Sequence, residues 1–406
     1  MTQRSRIYQP DKEHEVLLRC IRIFFGSENK ERLIELVADD LDLTYLIRSA
    51  SKNRIIPILF SSLNFLGFPG IPQEIIDELR IDFNDNALKN LATTGELLRI
   101  LSLFELHGIS SISFKGPVLA SCIYGDLSLR QFDDIDIIVP FSKIHEIAAI
   151  LISEGYKEED HQTSKAQQAA MLKYQHHHKF YNENNGVVLE IHWTLSPGLY
   201  SLQREMTNIW ERAERIVLQG REILGLSNED TLLFLCEHGA RHRWNRLGWI
   251  CDVAAILRSG NLDWKYVKSH ARERRSERTL FIGLFLAKRL LGASIPDEFS
   301  NVIEQDKKAL ALASEAIVNL CLHGHAPENC QFDPVQCNIQ DQLFYINASD
   351  RVLDRARLYW RMATTPTIED WSFLPLPDRI FFLYRLIRPI RQATAHGQKI
   401  ANWLFR

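Results

Sequence analysis

No stretch of this chain reaches the roughly 18 consecutive apolar residues that a membrane-spanning helix needs, so a span is not expected. The first ten residues, Met1 to Pro10, lack the apolar stretch of a secretory signal. Cysteine is scarce and scattered, with seven residues at 20, 122, 236, 251, 321, 330 and 337, mostly inside apolar runs. An odd, dispersed set excludes a disulfide framework and reads as reduced thiols in a cytoplasmic protein. An excess of one charge is lacking too: 48 Lys and Arg stand against 51 Asp and Glu, a net charge of −3. A long nucleic acid calls for a basic face, so a polymer of that kind is not the expected partner. Internal repeats and low-complexity segments are absent. What remains is 406 residues of ordinary composition, 46% hydrophobic, enough for a large core and two or three domains.

One segment carries unusual chemistry. Residues 113–140 read as the end of a strand, Lys115-Gly116-Pro117, a short helix, and then Arg130-Gln-Phe-Asp-Asp134-Ile-Asp136-Ile-Ile-Val-Pro140. Asp134 and Asp136 stand one residue apart in an apolar run, Ile135, Ile137, Ile138 and Val139, which spells a buried strand. Side chains alternate across a strand, so both carboxylates point to one face. Like charges held together at a buried strand end repel, and a positive partner must neutralise them. The usual partner is a divalent cation with oxygen ligands, above all magnesium, which takes one or two carboxylates plus substrate phosphates. Such a pair points to nucleotidyl transfer.

A third carboxylate follows on another strand, Gly186 to Trp193. There Val187, Leu189, Ile191 and Trp193 form an apolar face, while Glu190 and His192 share the other. If this strand lies beside the Asp134/Asp136 strand, three carboxylates converge. Two magnesium ions, or manganese in their place, would then clamp the attacking and leaving oxygens of an in-line transfer. Glu190 would be a ligand or the general base, against the default of a solvent-facing strand residue. His192 would orient the nucleophile, bond a substrate or only fill space. Upstream, Ile109 to Phe114 reads as a strand that Lys115-Gly116-Pro117 turns into a helix. Gly116 would let the backbone approach a triphosphate, and Pro117 suits a first helical turn, whose N-terminus favours phosphate. Lys115 and Arg130 are candidate phosphate cations, with a salt bridge to Asp133 or Asp126 as the alternative.

The order strand, Gly turn, helix, Asp-x-Asp strand and later acidic strand resembles the DNA polymerase beta-like nucleotidyltransferase superfamily. Lys115-Gly116, Tyr124-Gly125-Asp126, Arg130, Asp134-Ile-Asp136 and Glu190-Ile-His192-Trp193 look like its uncharacterised bacterial nucleotidyltransferase family, whose members occur in lasso-peptide and other biosynthetic clusters. The likeness continues into His238, His242, Arg246, Trp249 and Asp252, and more faintly into Pro366 to Asp370 and Arg388-Pro389. The superfamily turn usually carries Gly-Ser or Gly-Gly; here Pro117 follows Gly116, so the hydroxyl is missing and Lys115 and Arg130 are its expected substitutes.

The expected fold class is α+β. Residues 1–108 form an N-terminal helical region, 109–218 a small mixed-sheet core, and 219–406 a C-terminal helical domain. Pro72 to His107 reads as one long helix or two. Asn182 to Gly186 is the turn of a hairpin between His177–Tyr181 and Val187–Trp193. His176, His177 and His178 would alternate faces on a strand, so at most two could share a metal, and a structural or substrate-lining role is expected. Cys321-x-His323-x-His325 with Cys330 and Cys337 lacks paired Cys-x-x-Cys spacing and reads as a helix end followed by a loop. On one helical segment, Leu232 to Leu257, His238, His242 and Arg246 recur along a face and are expected to wall the acceptor or base side of the site. Arg379, Arg385, Arg388 and Arg391 read as a solvated face, with acceptor binding as the alternative.

The function expected is magnesium-dependent transfer of a nucleoside monophosphate from a triphosphate such as ATP to a hydroxyl or phosphate of a small molecule or peptide, as in natural-product tailoring. Two other readings stay open: an antitoxin-like enzyme that nucleotidylates a protein partner, and a non-catalytic nucleotide-binding module.

Overall fold

The computed structural model describes residues 11–38, 40–158, 164–196, 209–260, 262–322 and 334–393. Seven strands form one mixed sheet: β1 Ile112–Phe114, β2 Asp134–Ile138, β3 Lys157–Glu158, β4 His177–Tyr181, β5 Val188–His192, β6 Glu214–Leu218 and β7 Arg221–Gly225. Their order is β3-β4-β5-β2-β1-β7-β6. The hairpin β4–β5 forms where the Asn-rich turn predicts it, and β5 then lies parallel to β2, with Asp136 opposite Glu190 and Ile138 opposite His192. Helices flank the sheet, so the class is α+β with helical regions before and after the core. No described helix is long and apolar enough to cross a membrane.

Alternation sorts the two faces. Ile135, Ile137, Leu189 and Ile191 pack under the sheet against Leu97, Ile100 and Phe104 of the long helix Gln73–Leu106 and against Ile144, Ile147 and Leu151 of the helix Ile144–Ser153. Between the caps Pro72 and His107 there is thus one helix of 34 residues, Gln73–Leu106, not two. It also places the loop before β2, because the buried Asn90 donates from Nδ2 to the carbonyls of Leu127 (2.6 Å) and Arg130 (2.7 Å). The opposite face, carrying Asp136, Glu190 and His192, looks toward the C-terminal helices.

Three expectations need correction. The boundary at 218–219 falls in the turn of the β6–β7 hairpin, and pairing of β7 alongside β1 carries the sheet to Gly225. The segment Leu232 to Leu257 is two helices, Asn228–Arg241 and Leu247–Ser259. No proline or glycine marks the break. Burial of Trp244 imposes it: its ring packs on Gly239 and Gly283, where an added Cβ would come within 2.5 Å and 3.1 Å of the indole. Reaching that position puts Arg243 and Trp244 in the left-handed region, at φ +52° and +54°, a costly conformation for residues with side chains. Finally, Arg388 and Arg391 do not form a solvated face, since both bond Asp370, at 2.9 Å and 2.5 Å. Of the Cys321 to Cys337 pattern, Cys321 lies in the helix Lys307–Leu322 and Cys337 in the helix Pro334–Ala348, and the helix end and loop expected between them fall on residues 323–333, outside the described residues.

Candidate active site

The site begins at the end of β1. Lys115 turns the chain with φ +56° and Gly116 with φ +33°. A Cβ on Gly116 would stand 3.1 Å from the Asp134 carbonyl oxygen, so glycine lets this turn lie against β2. The turn aims Lys115 back over the sheet, where its Nζ bonds Asp136 Oδ1 at 2.8 Å.

Asp136 is fully buried. Its Oδ1 also accepts from His192 Nε2 at 3.0 Å, while its Oδ2, likewise buried, has no partner among the described residues. Burial works to raise this carboxyl, but Lys115 and the His192 hydrogen bond outweigh it and hold it below its ordinary value. Asp134, at the mouth, is pushed up to about 6 by burial and by the charge of Asp136. Glu190 is 16% exposed, with its carboxylate 3.5 Å from His192 Nε2 and 3.9 Å from His177 Nε2. Despite burial it is held well below the usual carboxylate range by the His192 hydrogen bond and by His177 and Lys115. His192 itself is raised, the two carboxylates overcoming its burial.

One ligand atom each from Asp136, Glu190 and His192 falls within 4.8 Å of the others. The orphaned Asp136 Oδ2 beside the Glu190 carboxylate suits a hard divalent cation, because a buried anionic oxygen without a partner is costly unless a cation meets it. The charge balance differs from the sequence expectation in one respect: Lys115 already supplies part of the positive charge assigned there to an ion.

The histidine run also behaves differently from the strand rule. His176 sits in the bend before β4, so alternation does not govern it, and His176 Nε2 lies 3.3 Å from His177 Nδ1. Both rings stand near His192, with centroids 5.3 Å and 5.0 Å away. His178 points to the other face, beside Glu158 and Trp193.

Facing the carboxylates across a cleft of about 710 Å³ are residues of the two C-terminal helices and the turn between them. The volume is within the range of small-molecule sites. His238, His242, Arg246 and Trp249 line it together with Lys115, Gly116, Asp134, Glu190 and His192. The His238 and His242 rings are 4.8 Å apart, His242 and Trp249 5.0 Å, and the Arg246 guanidinium lies 5.3 Å from the Trp249 ring. The row expected on one continuous helix is assembled instead from a helix end, a strained turn and the cap of the next helix.

Arg130 bonds neither Asp133 nor Asp126. Its Nε and Nη2 engage Asp252 at 2.8 Å and 2.9 Å, and Tyr124 donates to the same carboxylate at 2.9 Å. Asp252 is buried, so this cluster ties the helix Leu247–Ser259 to the loop before β2. Asp133 instead bonds Arg54 and Lys89. Sequence reasoning overlooked Arg241 and Asn90. Arg241 sits directly before His242 and lines the cleft, and its place on the same helix was a usable signal; nothing local marks Asn90.

A mixed sheet with paired acids on β2, a third acid on parallel β5 and a basic turn after β1 defines a nucleotide-transferring enzyme. Over residues 39–292 the chain matches the family described as uncharacterised nucleotidyltransferases, and it belongs to that family. It is therefore a nucleotidyltransferase. Among curated proteins none is significantly similar. Of solved structures, the antibiotic-resistance factor ANT(2'')-Ia is 13% identical, with 46% of this chain and 94% of that one covered and a TM-score of 0.34. The lincomycin-bound lincosamide antibiotic adenylyltransferase LnuA is 24% identical, with 34% and 84% covered and a TM-score of 0.26.

Proposed function

We propose that this enzyme moves a nucleoside monophosphate from a nucleoside triphosphate to an acceptor oxygen of a small molecule or peptide, releasing pyrophosphate, in the cytoplasm and in a natural-product tailoring role. Asp134, Asp136 and Glu190 would hold two magnesium ions, for which manganese could substitute. The observation that carries the reading is the buried, unpartnered Asp136 Oδ2 set beside Glu190 by strand register. Bound divalent ions would neutralise the triphosphate and polarise the reacting phosphoryl group.

The chain's own residues do the rest. Lys115 and His192 fix the Asp136 carboxylate by its Oδ1 and leave the buried Oδ2 without a partner among the described residues. Glu190, held ionised by His192 and His177, is a weak proton acceptor at neutral pH and serves better as ligand than as base. His238, His242 and Trp249 offer flat, partly apolar surfaces against which a base or acceptor can stack. Gly116 keeps the β1 turn open to the cleft. A cleft of about 710 Å³ fits a small acceptor better than a long polymer.

Asp134→Ala should abolish magnesium-dependent release of pyrophosphate from nucleoside triphosphates, with the protein still folded. Retention of more than about a hundredth of wild-type turnover, a barrier change under ~2.7 kcal/mol, would refute the metal assignment. A protein acceptor is the second reading, favoured by Ile81, Leu88 and Leu91, which are all exposed on the long helix. Labelling of a lysate polypeptide by an α-labelled triphosphate would decide for it.

A further inference from the structure

The cations that the sequence offers for a triphosphate are largely engaged elsewhere. Lys115 is bonded to Asp136, and Arg130 gives two of its nitrogens to Asp252. Arg54, another cleft residue, is paired with Asp133. Arg241 and Arg246 differ. Both line the cleft opposite Asp134 and Glu190, and neither forms an ion pair or hydrogen bond with any of the described residues. The Arg241 Nε is buried with no acceptor. Arg246 is exposed on the cleft, where Arg54 repels it and Asp133 and Asp134 attract it without bonding it. The Arg241 Nε, shut away from water without an acceptor, is held at a cost that a polyanion in the cleft would reduce, and the exposed Arg246 guanidinium is open to the same ligand.

The local backbone presents both residues. Arg241 ends the helix Asn228–Arg241, and Arg246 caps the helix Leu247–Ser259. Between them run the two left-handed residues anchored by buried Trp244. Strain held in place by a fully buried indole is what a fixed pair of side chains on a short turn requires.

We propose that Arg241 and Arg246 bind the β- and γ-phosphates of the nucleotide and retain the departing pyrophosphate. Naming the anion a phosphate chain rests on the nucleotidyl-transfer reading above. In that reaction the acceptor oxygen bonds the α-phosphorus as the bond from that phosphorus to the α–β bridging oxygen breaks. The electron pair leaves on pyrophosphate, and the acceptor's proton passes to water. The two guanidiniums meet the charge that develops on the leaving group, a role for which their forked donors suit them.

An anionic acceptor would present the same chemistry, so the test separates the two. Tripolyphosphate is titrated calorimetrically into the metal-free protein, with and without a non-hydrolysable triphosphate analogue. Arg241→Gln and Arg246→Gln should each weaken binding about tenfold or more, and the double variant should lose it, as expected for charge-assisted hydrogen bonds. The nucleotide analogue should displace tripolyphosphate from the wild type. Arg99→Gln, on a surface pair with Glu96 and Glu154 away from the cleft, should bind normally. Thermal midpoints of the Gln variants should hold or rise, because crowding of cations is relieved. If the double Gln variant fails to fold, the double Lys variant replaces it; keeping charge but losing the fork, it should bind with intermediate affinity. Normal tripolyphosphate binding by the double variant overturns the proposal, as does tripolyphosphate that nucleotide does not displace, which would assign the site to the acceptor. Asp134→Ala should still bind tripolyphosphate. If it does while no nucleotide transfer is ever observed, the functional reading fails and the anion site stands.

Discussion

At the residue scale the acids are not equivalent. Asp134 stands at the mouth with its carboxyl raised by burial and by Asp136, so Asp134→Ala should leave the ion-free protein as stable as before or slightly more so. Asp136 is the partner of Lys115, whose side chain is only 15% exposed. Asp136→Ala should therefore destabilise the ion-free protein, by about 3 kcal/mol, because it strands a buried cation. Denaturant unfolding of the two variants checks the contrast; equal midpoints would show that Lys115 finds another partner at no cost. Glu190→Gln keeps size and hydrogen bonding while removing charge. Its kcat should fall by about 10²–10⁴, and saturation should require more magnesium. A lowered kcat at unchanged magnesium dependence would make Glu190 the base and not a ligand.

Among elements, the tie between the helix Leu247–Ser259 and the catalytic loop is the informative one. Asp252→Ala should cost about 3–5 kcal/mol, since Arg130 and the Tyr124 hydroxyl would lose a buried acceptor together. Replacing both partners, Arg130→Met with Asp252→Leu, in a Tyr124→Phe background that leaves no hydroxyl stranded, should recover most of that stability. The double variant then tests Arg130 alone. If Arg130 also meets phosphate, KM for nucleotide should stay raised although stability has returned. Recovery of both would restrict Arg130 to holding the loop. Why the wall helices were read as one is plain at this scale. The spacing of four that joins His238, His242 and Arg246 runs across the break, and what breaks the helix is the burial of Trp244 against Gly239 and Gly283, the latter on a helix far along the chain.

On the scale of the whole molecule, residues remote in sequence close the C-terminal region. Arg388 and Arg391 bond Asp370, which also caps Thr367. Burial works to raise Asp370, but the Arg391 hydrogen bond, the Thr367 N–H and Arg388 prevail and lower it beneath its ordinary 3.8. A carboxyl depressed on folding contributes stability that is fully present above its unfolded value and lost as pH falls through the folded one. Asp370→Asn should thus lower stability at neutral pH and flatten the acid dependence below about pH 4, as read by unfolding at several pH values. Acid dependence identical to wild type would show the pair to be unimportant. The motifs Pro366 to Asp370 and Arg388-Pro389 are each visible in the chain, yet their union is not.

The sequence alone determined the α+β class, the Asp-x-Asp strand, the later acidic strand and the hairpin before it, because strand alternation and turn chemistry are local and period two leaves little freedom. It also singled out Lys115, His192, His238, His242 and Arg246, all of which the fold brings to one cleft. Pairings were decided only in three dimensions. That Arg130 meets Asp252, that Lys115 meets Asp136, and that Arg241 and Arg246 bond no acid among the described residues depends on which elements pack together. A charge's partner is set by distance in space, and ion pairs spanning 21 or 122 residues leave no periodic trace in the chain.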